Sequence, residues 1–284
     1  MDLEIYIFTN GRPTTFPAME YGARLGATLA EASVRLIGIE EQPSPAQIDE
    51  EQHPLEKVFA QAVEIFEQQG VFYALEVMRG PAEEVIPKRV AGQQALVVIG
   101  PLGRPPLKRL LAGRSFRHFM EHVSEPMIYV PKVKWPPKRI LVCVGGLGYQ
   151  VTAENLAIRL AKAVQAEMVL LTVVPPIDLD YPEARQVREH WHHLLETDTL
   201  IGKNLRRGLE IARQAGLQAS VKVRNGIVIG EIVDEIKEGG YELICMGSPY
   251  STQTLRQLYS PNITAEIAER DLAPVLTARY KPEG

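Results

Sequence analysis

The feature that most constrains this chain is an internal duplication, because one order of apolar runs, helical stretches and turns occurs twice in its 284 residues. Each copy opens with a short apolar run, Leu3 to Thr9 and Arg139 to Val144. The runs end in turns at Asn10-Gly11 and Gly145-Gly146, which is typical of buried strands. Because repeats of about half the chain have the size of ordinary domains, the duplication predicts two of them.

The same alternation of strand and helix continues through both copies. An amphipathic helix follows each first strand, with apolar residues at near-helical spacing. The later matched segments are apolar runs (Val34 to Ile39, Met168 to Val174), long helical stretches (Leu55 to Gln69, Ala184 to Ala215), third strands (Phe72 to Val77, Ala219 to Val223), fourth strands (Ala95 to Ile99, Glu242 to Met246) and fifth strands (Met127 to Val130, Val275 to Ala278). This alternation predicts an α/β fold, in which two tandem five-stranded parallel sheets each carry helices on both faces.

The boundary between the copies is predicted from a segment rich in proline and charge. Residues 131–137 carry Pro131, Pro136 and Pro137 among lysines, a composition that favours a short, stiff, exposed linker. We therefore expect domains at residues 1–131 and 138–284.

Composition limits the function and the compartment. A net charge of −4 and a pI near 5.9 favour neither nucleic-acid nor membrane-surface binding by the whole chain. No apolar run approaches the roughly 18 residues of a membrane span, and the start carries acid where a signal peptide carries positive charge. We expect a cytoplasmic protein, in which Cys143 and Cys245 are buried, reduced thiols within apolar runs.

A glycine pattern at the fourth strand of the first copy carries a family resemblance. Val98-Ile99-Gly100 is followed by Gly103, and then by Gly113 after nine more residues. This spacing resembles the nucleotide loop of ATP-binding universal stress proteins, and the order of elements resembles that family along nearly the whole chain. The resemblance implies a tandem, doubly wound chain of the adenine-nucleotide α-hydrolase type. It also implies that the two copies pack as a pseudo-dimer through their fifth strands.

The resemblance further implies an adenine site beside the first strand, where the family has an aspartate. This chain has Asn10 there in the first copy and Gly145 in the second. An asparagine side chain can still accept a hydrogen bond from an adenine amino group, whereas a glycine offers no side chain. Glycines also let the backbone close on phosphates at the carboxyl ends of the strands.

The phosphate loop of the first copy also resembles the family pattern more than that of the second copy does. In the first, Arg114 stands where the family has a small hydroxyl residue and Ser115 follows one place later, whereas the second has Tyr250 at the second glycine. The first loop is also the more basic: its cations are Arg104, Lys108, Arg109, Arg114 and Arg117. The alternative interpretation of these cations is a solvated helix face. The predicted cofactor site, for ATP or another adenine nucleotide, consists of Asn10, Gly11, Gly100, Gly103, Gly113, Arg114 and Ser115.

Other candidate chemistry is sparse. His118 and His122 lie four residues apart on one predicted helix, and residues 189–193 include three more histidines beside Trp191. Without a third ligand we predict no metal site, and the second segment favours an interface. The remaining carboxylates are expected at solvent positions on helices. Since no nucleophile and base occur in a known catalytic motif, we predict no enzyme, although slow ATP hydrolysis stays open.

Three functions are compatible with these patterns. The first is a stress-response or regulatory protein with a weakened adenine-nucleotide site in its first copy and a degenerate second copy. The second is a protein without nucleotide that binds partner proteins or another small ligand. The third, an ATP-dependent enzyme of the related hydrolase type, is disfavoured because no second substrate site is identifiable. Protein partners and a homo-oligomer are left open.

Overall fold

The computed structural model describes residues 3–29, 32–41, 54–103, 115–146, 148, 150–176, 182–248 and 263–279. Contacts between residues divide the chain into two compact units, residues 1–135 and 136–284. Within the segment predicted as an exposed linker, Trp135 packs edge-on against Tyr21 of the first unit, with ring centroids 5.0 Å apart. None of the helices in the described ranges is long and apolar enough to cross a membrane.

The first unit is a parallel sheet of five strands in the order β3-β2-β1-β4-β5. Its elements in chain order are β1 (Glu4–Thr9), α1 (Phe16–Thr28), β2 (Ser33–Glu40), α2 (Pro54–Gln69), β3 (Tyr73–Arg79), α3 (Ala82–Val90), β4 (Ala95–Ile99), α4 (Ser115–His122) and β5 (Met127–Tyr129). Helices α1 and α2 pack together, as do α3 and α4. The interior strand β4 is buried along its whole length, as expected of a sheet covered on both faces.

The second unit repeats this architecture with the strand order β10-β9-β6-β7-β8. Its elements are β6 (Arg139–Cys143), α5 (Val151–Val164), β7 (Glu167–Val174), α6 (Pro182–Glu189), α7 (Leu200–Gln214), β8 (Ala219–Asn225), α8 (Val228–Gly239), β9 (Leu243–Ser248), α9 (Ile263–Ala268) and β10 (Val275–Arg279). Helix α8 packs against α9, and α5 lies against β6, β9 and β10. The predicted fold class, a parallel α/β sheet in each half, is confirmed, whereas pairing of the fifth strands stays a prediction.

One predicted helix is wrong in the second unit. The stretch from Ala184 to Ala215 is not continuous, because α6 ends at Glu189 and a 3-10 segment, Trp191–Glu196, precedes α7. Two threonine side chains account for the break. The Thr197 hydroxyl donates to the Leu194 carbonyl (2.8 Å), and the Thr199 hydroxyl accepts from the Gly202 amide (3.2 Å) as the N-cap of α7. Such local bonds compete with the helical ladder.

Candidate functional site

The candidate site of the first unit lies where β1 and β4 end side by side. These strands pair in parallel from Glu4 opposite Ala95 to Phe8 opposite Ile99, so the residues after them meet at one edge of the sheet. The crossovers leave this edge in opposite directions, because β1 leads to β2 on one side whereas β4 leads to β5 on the other. This is the switch point at which open parallel sheets bind ligands.

Asn10, the predicted adenine partner, connects three elements at this edge. Its Nδ2 donates to the Leu102 carbonyl at 3.0 Å and to Glu41 Oε2 at 3.4 Å. Its Oδ1 accepts from the Arg12 amide at 3.3 Å. The structure therefore brings Asn10 and the glycine loop together as predicted. Both ends of the asparagine amide are nevertheless engaged within the protein.

A chain of hydroxyls fixes the backbone that follows Asn10. The Gly11 amide donates to Thr9 Oγ1 at 3.2 Å, and the two hydroxyls of Thr9 and Thr15 lie 2.6 Å apart. Thr15 Oγ1 in turn donates to the Arg12 carbonyl at 2.7 Å. Because Thr9 and Thr15 are buried, these bonds hold residues 9–15 in one conformation at the floor of the site.

Two of the predicted glycines lie against this same segment. A Cβ at Gly103 would come within 2.4 Å of Thr14 Oγ1, and Gly103 has a φ of +60°. A Cβ at Gly100 would lie 3.1 Å from the Thr14 carbonyl oxygen. Glycine is thus required here by close approach of the two loops of the first unit, whatever the site binds.

Two residues of the site were not predicted from the sequence. Arg12 Nη1 donates to the Gly103 carbonyl at 2.9 Å, which adds an exposed cation to the rim. Glu41 follows β2 as Asn10 follows β1, and its Oε1 accepts from the Ala82 amide at the start of α3 (3.3 Å). A polar residue directly after a buried strand was the signal that could have identified Glu41.

Most of the predicted phosphate loop lies outside the residues that the structure describes. Gly113 and Arg114 lie outside the described residues, as do most of the loop cations and Tyr250 of the second copy. Ser115 begins α4.

In the second unit, a side chain from α7 occupies the corresponding place beside the first strand. Asn204 Nδ2 donates to the carbonyls of Gly145 (2.9 Å) and Gly146 (3.1 Å). A Cβ at Gly145 would meet nothing within 4 Å, so the position expected to carry an aspartate faces open space. The turn after β6 is thus held from outside the turn, whereas in the first unit the turn is held by Asn10 itself.

The second unit also buries two carboxylates, which corrects the expectation of solvent positions. Glu235 is 1% exposed and accepts from Lys222 Nζ (2.7 Å), Arg224 Nε (2.8 Å) and the Tyr241 hydroxyl (2.6 Å). Burial alone would raise the pKa of Glu235, but the hydrogen bonds from these three residues outweigh it and lower that pKa.

Glu154 is the second of these two carboxylates, and its pKa is shifted in the opposite direction. Its Oε2 lies 2.5 Å from Arg207 Nη2, while its Oε1 has no hydrogen-bond partner within the described part of the chain. Burial raises the pKa of Glu154 against the attraction of Arg207. Glu235 ties α8 to β8 through Lys222 and Arg224, whereas Glu154 ties α5 to α7 through Arg207.

The two cysteines are free thiols on neighbouring strands. Cys245 is opposite Val142, and since side chains alternate along a strand, Cys143 points to the other face of the sheet. Cys245 is buried as predicted, whereas Cys143 is partly exposed. Burial, with a contribution from Glu235, raises the pKa of Cys143 to about 12, and burial with a contribution from Glu154 raises the pKa of Cys245 well above its ordinary value.

The histidines contact the backbone and each other. The rings of His118 and His122 stack at 4.0 Å, and His122 Nδ1 lies 2.8 Å from the His118 carbonyl. Trp191 and His192 are in contact on the 3-10 segment. Among the described residues, no three potential ligands converge on a metal position.

Comparisons with known proteins agree with this architecture. Residues 136–279 match the universal stress protein family. A universal stress protein from Archaeoglobus fulgidus DSM 4304 aligns with 99% of this chain and 97% of its own at 15% identity and a TM-score of 0.71. A putative universal stress protein from Pseudomonas aeruginosa UCBPP-PA14 aligns with 97% of this chain and 92% of its own at 12% identity and a TM-score of 0.66.

A third structure, of a universal stress protein in complex with cAMP, aligns with 51% of this chain and 99% of its own at 18% identity and a TM-score of 0.40. A comparison with curated protein sequences gave no match. The two alignments that cover both units show that the fold continues through the first unit as well as the second.

Proposed function

Because this chain belongs to the universal stress protein family, we propose that it is a regulatory protein of the stress response that binds an adenine nucleotide weakly, through its first unit alone. The observation that carries the proposal is the 3.0 Å hydrogen bond from Asn10 Nδ2 to the Leu102 carbonyl. It joins the end of β1 to the loop after β4, so that the candidate adenine partner and the candidate phosphate loop border one site.

The charge of this site supports an anionic ligand. Arg12 is exposed at the rim, and the sequence after Gly103 adds the cations Arg104, Lys108, Arg109 and Arg114. Guanidinium groups bind phosphates through paired hydrogen bonds and need no net positive charge on the whole protein. The matching loop of the second unit has Arg256 as its single cation in sequence, and Gly145 supplies no polar side chain. These differences favour a nucleotide in the first unit over one in the second.

Weak binding follows from the bonds that Asn10 already makes. A nucleotide that used the Asn10 amide would compete with its bond to the Leu102 carbonyl, which contributes about 0.5 to 1.5 kcal/mol, and with its bonds to the Glu41 carboxylate and the Arg12 amide. The Glu41 carboxylate is an acceptor, which suits an adenine amino group and disfavours the ring nitrogens. We infer binding without catalysis, because the hydroxyls of Thr9 and Thr15 bond to each other and not to a general base.

The same hydrogen bonds favour a second candidate function, that of an interaction protein without nucleotide. In that case the hydrogen bonds of Asn10 and Arg12, to Glu41 and to the loop after β4, have a structural function and keep this edge closed to a ligand. The two functions differ in whether the free protein can open this edge for a ligand.

Calorimetric titration of ATP, ADP and AMP into the full chain tests the proposal. We expect weak binding that Gly103→Val abolishes, by blocking the close loop approach, and that Arg114→Ala weakens by about 1 to 3 kcal/mol. Asn204→Ala is the matched control, because Asn204 holds the corresponding turn of the second unit. Circular dichroism of each variant establishes that it is folded. No heat with any nucleotide favours the second function, and loss of binding in Asn204→Ala alone would place the site in the other unit.

A further inference from the structure

One edge of the first unit's sheet is formed by β3, and its main chain is oriented for further pairing. The Phe72 carbonyl accepts from the Val34 amide (2.9 Å), and the Gly80 amide donates to the Glu40 carbonyl (3.1 Å), both towards β2. Because alternate residues of a strand face the same neighbour, the even-numbered residues bond to β2. The amides and carbonyls of Tyr73, Leu75, Val77 and Arg79 therefore point away from the sheet, and no described strand pairs with them.

The side chains of these outward residues are unusually apolar for an edge. Leu75 is 41% exposed and Val77 is 55% exposed, and Phe72 just before the strand is 86% exposed. Natural edge strands are commonly protected by charge, proline or a covering segment. Neither Leu75 nor Val77 has such protection among the described residues.

The second unit shows the same edge in a protected form. Its edge strand β8 carries exposed Ser220 and Lys222, and the 3-10 segment Trp191–Glu196 packs against it. Val221 and Val223, which pair with β7 as Leu75 and Val77 pair with β2, are only half-exposed. The apolar edge is thus a property of the first unit and not of the fold.

We propose that β3 is a dimerisation surface, on which β3 of a second copy of this chain pairs antiparallel about a two-fold axis at Glu76. In this register, Leu75 of each copy lies opposite the partner's Val77, and Tyr73 lies opposite the partner's Arg79. Each of the four residues whose main-chain groups point outward then lies opposite another such residue. The two residues of each pair can exchange both of their N–H···O=C hydrogen bonds, as in an ordinary antiparallel ladder. Such a two-fold contact is self-complementary and closes without forming a fibre.

Charge complementarity favours a second copy as the occupant. Arg79 Nε binds Glu40 Oε2 of its own copy at 2.6 Å, and the side chain is nevertheless 86% exposed. The Tyr73 hydroxyl that it would face lies 3.5 Å from Glu67 Oε1 on α2. Each end of the paired strands therefore brings Arg79 of one copy towards Glu67 of the other. At the axis, the two Glu76 carboxylates are each bound by their own Arg89 at 3.1 Å, which reduces their repulsion.

Analytical ultracentrifugation of the full chain between about 1 and 100 µM tests this dimer directly. We expect a reversible dimer, whose dissociation constant Leu75→Lys raises roughly tenfold or more by placing a charge at both copies of the apolar contact. Ile227→Lys is the control, since Ile227 is an equally apolar residue, 77% exposed, in the second unit. It should leave the dimer unchanged.

A charge exchange tests the register and separates it from general loss of apolar surface. Arg79→Glu should weaken the dimer, because it places two acids together at each end, and adding Glu67→Arg should restore it. Circular dichroism confirms that each variant is folded. A monomeric wild type over this range would overturn the proposal, as would a dimer that resists Leu75→Lys or is weakened equally by Ile227→Lys. Failure of the exchange to restore pairing would overturn the register.

Discussion

Gly208 of α7 faces Glu154 of α5 so closely that a Cβ on the glycine would lie 2.5 Å from the Glu154 Oε1. The same Cβ would lie 3.0 Å from Leu170 Cδ1 of the sheet. The buried carboxylate thus occupies the volume that any larger residue at position 208 would need. Helix packing and the placement of a buried charge depend on one another here.

The first prediction compares two glycines inside helices. Gly208→Ala should destabilise the protein by about 1 to 3 kcal/mol, because the buried Glu154 and Leu170 must move. Gly230→Ala on α8, where a Cβ meets nothing within 4 Å, should instead stabilise it by about 0.5 to 1 kcal/mol through helix propensity. Urea unfolding measures both. If both substitutions changed the free energy of unfolding equally, the close approach at Gly208 would not contribute to stability.

The second prediction concerns the loop after β4. Gly103 and Gly92 both have positive φ values, +60° and +72°, but only at Gly103 would a Cβ meet other atoms, at Thr14. We expect Gly92→Ala to cost about 1 kcal/mol for backbone strain alone, and Gly103→Ala to cost about 1 kcal/mol more. The difference between their unfolding midpoints in urea isolates the contact. A smaller loss for Gly103→Ala than for Gly92→Ala would contradict it.

The third prediction concerns the buried carboxylate Glu235. Glu235→Gln leaves Lys222 and Arg224 without their shared partner and should cost about 2 to 4 kcal/mol, less than a fully buried pair because Lys222 is 44% exposed. Glu231→Gln is the control, since Glu231 is 28% exposed and is bound by Arg224, which has other partners, and it should cost about 1 kcal/mol or less. Chemical denaturation at pH 7 distinguishes the two.

The fourth prediction is the pH dependence that Glu235 produces. Since its pKa is lower in the folded chain than in the unfolded chain, the unfolded state binds more protons at acidic pH. The contribution of Glu235 is therefore complete above the ordinary glutamate pKa and is lost as the pH falls through the lowered value. The difference in unfolding free energy between wild type and Glu235→Gln should shrink on acidification. A difference that stays constant down to the acid transition would refute this assignment.

The fifth prediction concerns thiol reactivity. Because burial raises the pKa of Cys143 to about 12 and that of Cys245 well above its ordinary value, both thiols stay protonated at pH 8. We expect alkylation by iodoacetamide to be slow in the native state and rapid in denaturant, with Cys143 the faster of the two because it is partly exposed. Mass spectrometry after timed labelling gives both rates. Native labelling as fast as denatured labelling at either cysteine would contradict the prediction.

The sequence was sufficient to predict a parallel α/β sheet in each unit, since strand and helix types follow from periodicity and repetition, but the order of the strands within the sheet was not predicted. It failed at residues 190–199, where Thr197 and Thr199 end the helix through local bonds that no apolar pattern reports. A clue existed for Glu154, which is followed at helical spacing by Ala157 and Ile158, so that an acid falls on an apolar helix face.

Part of the candidate site was anticipated from the sequence, but its hydrogen bonds were not. The glycine spacing and the position of Asn10 after β1 predicted that Asn10 lies near the glycine loop, and Asn10 does bond to Leu102, the neighbour of Gly103. The bonds of Asn10 to Glu41 and Leu102 depend on residues 31 and 92 positions away, and a pattern of neighbours in sequence cannot specify them. The functions of Gly113 and Arg114 stay predictions.

The charged contacts between the edge strand and the helix that follows it have opposite signs in the two units. In the first, the acid Glu76 lies on β3 and the base Arg89 on α3, whereas in the second Arg224 lies on β8 and the acid Glu235 on α8. Exchanging only the helix between units would set like charges against each other, acid on acid in one chimera and base on base in the other. The helix of one unit therefore cannot replace that of the other unless the edge strand that it faces is exchanged with it.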